Sequence, residues 1–264
     1  MRNVLTYREI RPEAALKDYI YTYWVFSYLP EDHQEILDHS IPPDGCLSLA
    51  FPYHPQMPAI ASSLLGPQTS IFRLPVFPGS YCMGVRFMPG VGKALFGISQ
   101  KNWVDQNIDA SEWIADLDIK AIFEHWPAVE LAADWLDPIF TDWINGKEVS
   151  LDQPILQAVR LILAADGNIK VAELAQQVFM SERQLQRRFQ EAVGLSPKVF
   201  CRIRRMRAAL LQRLLAEKSY GDILFDHGYT DKSHFNRDFV AIAGLTSAEL
   251  ERYLKQIEHL GLEE

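Results

Sequence analysis

The sequence predicts two parts. An α+β front, with a β-rich, barrel-like sheet and trailing helices, precedes an all-α region built on two helix-turn-helix motifs joined by a long helix. Three observations predict this. A sixteen-residue pattern from Ser181 to Ser196 returns fifty residues later from Asp231 to Thr246, laying Leu185 on Phe235, Arg187 on Arg237, Phe189 on Phe239 and Gly194 on Gly244. Residues 1 to about 90 run in short β-branched and aromatic stretches cut by Pro and Gly, as in a small barrel or curved sheet. The charge is also divided. Residues 1–150 carry 10 Lys+Arg against 19 Asp+Glu, residues 151–255 carry 16 against 12, and the tail adds three Glu, so the net −8 hides a basic segment that coincides with the repeat.

Taken in order, residues 12–20 read as a short helix with Pro12 in its first turn. Residues 21–28 read as a strand. Alternation puts Tyr21, Tyr23, Val25 and Ser27 on one face and Thr22, Trp24, Phe26 and Tyr28 on the other, so burial on both sides or a lined cavity is expected. Residues 35–41 form a second strand, Pro42-Pro43-Asp44-Gly45 a turn, and residues 46–51 a third strand. Shorter strands follow at 64–67, 72–76 and 81–87.

The apolar period then becomes helical, at 89–97, 111–117, 119–125 and 128–144, with Pro127 and Pro138 interrupting the last. Its stripe of Leu131, Trp135, Ile139 and Trp143 suits either packing on the barrel or a dimer seam. Asn145 and Gly146 close it, and the domain boundary falls before Leu151. Residues 1–150 are thus a first domain, whose lined cavity or apolar stripe suits effector binding and/or dimerisation, and residues 151–264 the double helix-turn-helix domain.

In the second part, residues 154–165 open with a helix, and residues 171–178 and 220–226 form the short helices that precede the two repeat copies. Ser181 is the candidate N-cap in the first copy, and Thr230 or Asp231 in the second. The inward stripes are Leu185, Phe189, Ala192 and Phe235, Phe239, Ile242. The opposite faces carry Arg183, Gln186 and Arg187 in one helix, and Lys232, Ser233, Asn236 and Arg237 in the other. These are donors with the reach and hydrogen-bonding pattern to read bases in a major groove. Between the copies, Ser196-Pro197 starts a helix whose stripe is Phe200, Ile203, Met206, Leu210 and Leu214. At 1.5 Å per residue it is a rod of roughly 30 Å. Some of Arg202, Arg204, Arg205 and Arg207 are expected on phosphates, and about half on a solvated face.

The region resembles the DNA-binding domain of the AraC/XylS family of bacterial transcription regulators. The residues that carry the resemblance are Glu173-Leu174-Ala175, Met180-Ser181, Arg183, Leu185, Arg187, Phe189, Gly194 to Pro197, Asp222-Ile223, Gly228-Tyr229, Ser233-His234-Phe235, Arg237, Phe239 and Gly244 to Thr246. The Pro42-Asp44-Gly45 turn and the stretch from Gly84 to Gly90 are similar, more weakly, to the front domain of one subgroup. The pattern departs at Phe179, a turn position often held by Gly, at Leu224 and at Ser247. The resemblance implies a cytoplasmic, ligand-responsive transcription regulator. Its implied partners are double-stranded DNA, RNA polymerase, a small-molecule effector and a second copy of the chain.

Competing readings are a regulator controlled by a protein partner or without ligand, and a DNA repair alkyltransferase-type regulator. The latter needs a reactive Cys in a polar cluster; Cys46, Cys82 and Cys201 form no CxxC pair, and nothing basic adjoins Cys46 or Cys82. No GxSxG, HExxH, P-loop or GxGxxG stretch is present, so no enzyme and no cofactor are expected. His33, His39 and His54 lack an HxH pair with an adjacent carboxylate, so no metal site is expected. A signal-peptide hydrophobic stretch and a run of about 18 apolar residues are also missing, which points away from the membrane.

Overall fold

The computed structural model describes residues 5–29, 35–56, 61–124, 132–215 and 220–260. The front half runs β1 (Leu5–Ile10), β2 (Ile20–Tyr28), β3 (Leu37–Ile41), β4 (Ser48–Tyr53), β5 (Ser63–Leu65), β6 (Phe72–Val76), β7 (Ser80–Phe87), α1 (Gly92–Phe96), a 3₁₀ turn (Gln100–Trp103), β8 (Asn107–Asp109), α2 (Ile119–Glu124) and α3 (Ala132–Asn145). The second half runs α4 (Gln153–Ala164), α5 (Val171–Gln177), α6 (Glu182–Val193), α7 (Pro197–Leu215), α8 (Tyr220–Asp226), α9 (Lys232–Ala243), α10 (Ser247–Leu254) and β9 (Ile257–Leu260).

Seven strands form one sheet in the order β8-β5-β4-β7-β2-β1-β9, while β3 and β6 pair as a separate ribbon. The sheet is open at β8 and β9, which corrects the barrel-like expectation. β9 lies parallel to β1, with Leu5 opposite Ile257, so the C-terminal region is not all-α: its last strand completes the front sheet.

The alternation along β2 separates two cores. Tyr23 and Val25 join Leu49, Phe51, Met83, Val85 and Phe87 beneath Phe96, Phe140 and Trp143. Trp24, Phe26 and Tyr28 point the other way and enter one cluster with Phe189, Phe200, Phe235 and Ile257 of the second half. A strand apolar on both faces is what a sheet covered on both sides requires. The boundary placed before Leu151 is therefore spanned by continuous apolar packing, and also by ion pairs such as Arg160 with Asp18 at 2.8 Å.

Other expectations change as well. Of the residues expected as a helix, 14–19 form successive turns, fastened by bonds from Leu16 N to Glu13 O and Ile20 N to Leu16 O, and Ile20 already belongs to β2. So short a helix is marginal in isolation, and here the Asp137 carboxylate takes the Glu13 N–H. Residues 111–117 are also turns rather than helix. Pro138 sits inside α3 without ending it. Of the α3 stripe, Trp135 and Trp143 are buried in the front core and Ile139 is half-buried against it; Pro127 and residues 128–131, Leu131 of the stripe among them, lie outside the described residues. The strands β1 and β8 were not anticipated.

Candidate functional site

The first helix-turn-helix is α5 and α6. Ser181 caps α6 through a capping box, its side chain accepting from Gln184 N while Gln184 Oε1 accepts from Ser181 N. The second is α8 and α9, capped by Asp231, whose Oδ1 accepts from His234 N at 2.7 Å. Both recognition helices bury their predicted stripes: Leu185, Phe189 and Ala192 in α6, Phe235, Phe239 and Ile242 in α9. Arg183, Gln186, Arg187, Lys232, Ser233 and Arg237 are all exposed. Arg187 keeps two-thirds of its side chain in solvent and stands 3.8 Å from Glu191 one turn on, too loose a pair to hold it. Asn236 is half-buried, and its Oδ1 accepts from Ser247 Oγ at 3.0 Å, so part of its hydrogen-bonding capacity fastens α10. The Ser247 departure thus supplies a clasp on the recognition helix.

The turns of the two modules share one backbone. Phe179 N bonds to Gln176 O and Met180 N to Ala175 O, while Tyr229 N bonds to Leu224 O. This is the left-handed closure of a helix C-terminus that favours glycine. Gly228 fills the left-handed position in the second module (φ 68°), and Phe179 fills it in the first (φ 55°). The structural equivalence is therefore Phe179 with Gly228, not with Tyr229 as the fifty-residue shift implies, because the second turn has one extra residue before its cap. A non-glycine residue there costs roughly 1–2 kcal/mol, and the Phe179 side chain is 97 % exposed.

The arginines of α7 correct the phosphate expectation. Arg202 pairs with Asp238 of α9 at 2.9 Å, and the Arg205 guanidinium lies 5.4 Å from the centre of the Tyr229 ring. Arg204 donates to the Tyr21 hydroxyl at 2.8 Å, and Arg207 pairs with Glu9 at 2.9 Å. One face of α7 pins the second module and the next face pins the sheet. The turn at residues 42–45 receives α7 directly: Gly45 packs so closely on Phe200 that a Cβ there would lie 2.7 Å from its ring.

Behind α7 lies a buried charge cluster. Arg86 of β7 meets Glu9 at 2.7 Å, sits against the Asp44 carboxylate, and donates to the Tyr7 hydroxyl at 3.2 Å. Burial works against a charged Glu9, but Arg86 and then Arg207 overcome it and hold the carboxyl at about 2. The cluster floors a cavity of about 120 Å³ between sheet and helix, walled by Trp24, Phe26, His39, Leu210, Leu211 and Leu214. A second cavity of about 330 Å³ under the β3–β6 ribbon shares Trp24, Phe26, His39 and Ile41 with the first. Sequence reasoning did not group these residues as a site; only the two-faced apolar pattern of β2 pointed to a cavity.

His39 and His54 have structural partners. His39 stacks on Phe26 with ring centres 4.2 Å apart and bonds to the Tyr253 hydroxyl; His54 Nε2 bonds to Pro78 O at 2.9 Å. His33 lies outside the described residues. Among the described residues no group of three His, Cys, Asp or Glu side chains could hold a metal ion. Burial pushes the Cys46 and Cys82 thiols up to about 12 and that of Cys201 to about 11, the opposite of what a reactive cysteine requires. Among the described residues no helix is long and apolar enough to cross a membrane.

Residues 174–253 match the family described as a helix-turn-helix domain. The C-terminal region is an AraC-type helix-turn-helix domain. Residues 8–109, ahead of it, match a domain of unknown function (DUF6597). No curated protein matches the chain. Among solved structures, unsaturated-fatty-acid-bound wild-type ToxT from Vibrio cholerae strain SCE256 is 12 % identical, with a TM-score of 0.46 over 83 % of this chain and 91 % of that one. ToxT from Vibrio cholerae O395 bound to (E)-4-(8-methylnaphthalen-1-yl)but-3-enoic acid is 9 % identical, with a TM-score of 0.48 over 95 % of this chain and 98 % of that one. Within the AraC-type region, the matched residues include both recognition helices and the whole of α7 between them.

Proposed function

We propose that the protein is a sequence-specific transcription regulator whose DNA affinity responds to a small, uncharged, mainly apolar molecule held between its sheet and α7. The observation that carries this reading is the shared wall of the inner cavity: Trp24 and Phe26 come from the sheet, and Leu210, Leu211 and Leu214 from the helix joining the two DNA-reading modules. A molecule seated there touches both halves, so its binding energy can depend on where α7 sits, as any coupling between sites requires. The cations on the wall, Arg86 and Arg207, already have Glu9 and Asp44 as counter-charges, so the site has little use for an anionic ligand. An apolar cavity of roughly 150 Å³ accommodates a molecule the size of benzene, and the adjoining cavity extends the space.

On the DNA side, Arg183, Gln186 and Arg187 of α6 and Lys232, Ser233, Asn236 and Arg237 of α9 are the proposed contacts. Arg suits guanine and Gln or Asn adenine. The nineteen residues of α7 give a rod of about 29 Å, near the roughly 34 Å of one duplex turn, so a single chain can address two successive groove segments.

The test selects binding sites from a random duplex pool with the full chain, then measures affinity and melting temperature with benzene-sized neutral compounds and with matched carboxylates. Neutral compounds should raise the melting temperature and shift DNA affinity, and Leu210→Trp, which fills the cavity, should abolish both effects. Failure to enrich any sequence would remove the DNA reading. Stabilisation that persists in the filled variant would remove the cavity reading.

A further inference from the structure

Phe179 carries two costs at once. It holds a left-handed backbone, at φ 55°, in the position that Gly228 fills in the second module, and its ring is 97 % exposed. Nothing in the fold uses that ring. Its exposed neighbours Gln176, Gln177, Ser181 and Glu182 are polar, so it is a single apolar point rather than part of a patch of the size a protein interface needs. Its place in the chain, however, is specific: two residues before the cap of α6 and four before Arg183. Recognition helices enter the major groove with their N-terminal residues at the bases. The apolar feature that groove presents is the thymine 5-methyl group.

We infer that Phe179 is a base-reading residue of the first module, whose ring covers the 5-methyl group of one thymine at the edge of the segment read by α6. The inference rests on the DNA-binding reading above. Four Cα steps of 3.80 Å limit the separation from Arg183 to about 15 Å. With the reach of the two side chains added, the thymine lies within one helical turn, about 34 Å, of the pair that Arg183 reads. The second module, with glycine at the same turn position, has no such contact from its turn.

The experiment uses the full chain on a duplex selected from a random pool. Each thymine is replaced in turn by deoxyuridine, which deletes only the methyl group. In the wild type one replacement near the α6 segment should weaken binding about fourfold, the value of one buried methyl at about 0.8 kcal/mol. Phe179→Gly should bind the thymine and deoxyuridine duplexes equally, while Phe179→Leu should keep most of the difference. Phe179→Gly should also melt a few degrees higher, because glycine relieves the left-handed backbone. Uniform tolerance of deoxyuridine by the wild type would overturn the inference, as would the same methyl dependence in Phe179→Gly. A lower melting temperature for Phe179→Gly would overturn it too, by giving the ring a structural role. If the wild type selects no sequence at all, it is the DNA-binding reading that fails.

Discussion

The first module ends its recognition helix at Gly194 and the second at Gly244, both with positive φ. A Cβ on Gly194 would lie 2.9 Å from Gln100 O, whereas nothing lies within 4 Å of the same point on Gly244. The cause is attachment. α6 packs on α1 and on the 3₁₀ turn at Gln100–Trp103, where Ser99 Oγ donates to Glu191 O at 3.2 Å. α9 packs instead on α7, α8 and α10, and is held by Arg202 and by the Ser247 bond to Asn236. Two copies of one sequence unit thus reach the front half by different routes, the first through α6 itself and the second through the elements around α9, namely α7 and the α10–β9 segment that pairs with β1. A ligand that shifts α7 against the sheet moves the second module relative to the first, and the spacing between two groove segments is the quantity such a motion changes.

The charge cluster that anchors α7 offers the largest effect. Arg86→Met leaves Glu9 and Asp44 buried beside fewer cations, and removing one member of a buried ionic cluster costs about 3–5 kcal/mol. Denaturant unfolding should show that loss, with α7 and β1 losing amide protection first in hydrogen exchange. A cost under about 1 kcal/mol would mean that the cluster does not hold the halves together.

Gly194→Ala and Gly244→Ala test the asymmetry itself. Both add the left-handed penalty of about 1 kcal/mol, but only Gly194→Ala drives a methyl into the Gln100 backbone, for a total of about 3 kcal/mol. Equal melting curves for the two variants would erase the distinction between the modules.

Arg187→Ala and Arg237→Ala compare the modules on DNA. Each should lose about 1–3 kcal/mol on the selected site and relax one base position in its own segment. Equal loss on random DNA would assign that arginine to phosphate. Insertion of five base pairs between the segments rotates one by about half a turn, and affinity unchanged by it would show that the rod does not set their spacing.

The smallest effect is a pH dependence. Burial lowers His39 from its ordinary value to about 4, so between pH 6.5 and 4 the unfolded chain takes up a proton that the folded chain refuses. The stability this histidine contributes is full above pH 6.5 and is lost as the pH falls through about 4, a change of roughly 2 kcal/mol after allowance for its partial exposure. Glu9, held at about 2 against an ordinary 4.5, adds its own loss from about pH 4.5 downward, overlapping only the lower end of that window. Because His39 bonds to Tyr253 of α10, mild acid should loosen the second module before the first. His39→Phe should flatten the profile between pH 6.5 and 4; an unchanged slope would assign the dependence to another group.

Sequence periodicity and local cap chemistry were enough to locate the helices of both modules, the cap at Ser181 and the second cap to Thr230 or Asp231, the long α7 and six strands of the front half. Each of these depends on residues three or four apart, or two apart, and on the local chemistry of a cap or turn. The exposure of the proposed DNA-facing side chains other than half-buried Asn236 follows from the same spacing, since the opposite face must be buried. Tertiary structure alone decided the rest. β9 is four residues with no local signal of a strand, and becomes one because β1 presents an unpaired edge. The arginines of α7 look solvated in sequence, yet each finds its partner, Glu9, Tyr21, Tyr229 or Asp238, between 24 and 198 positions away along the chain. The cavity likewise draws its walls from strands and helices that no window of sequence contains, because a cavity is defined by the packing of distant surfaces rather than by the propensities of neighbours.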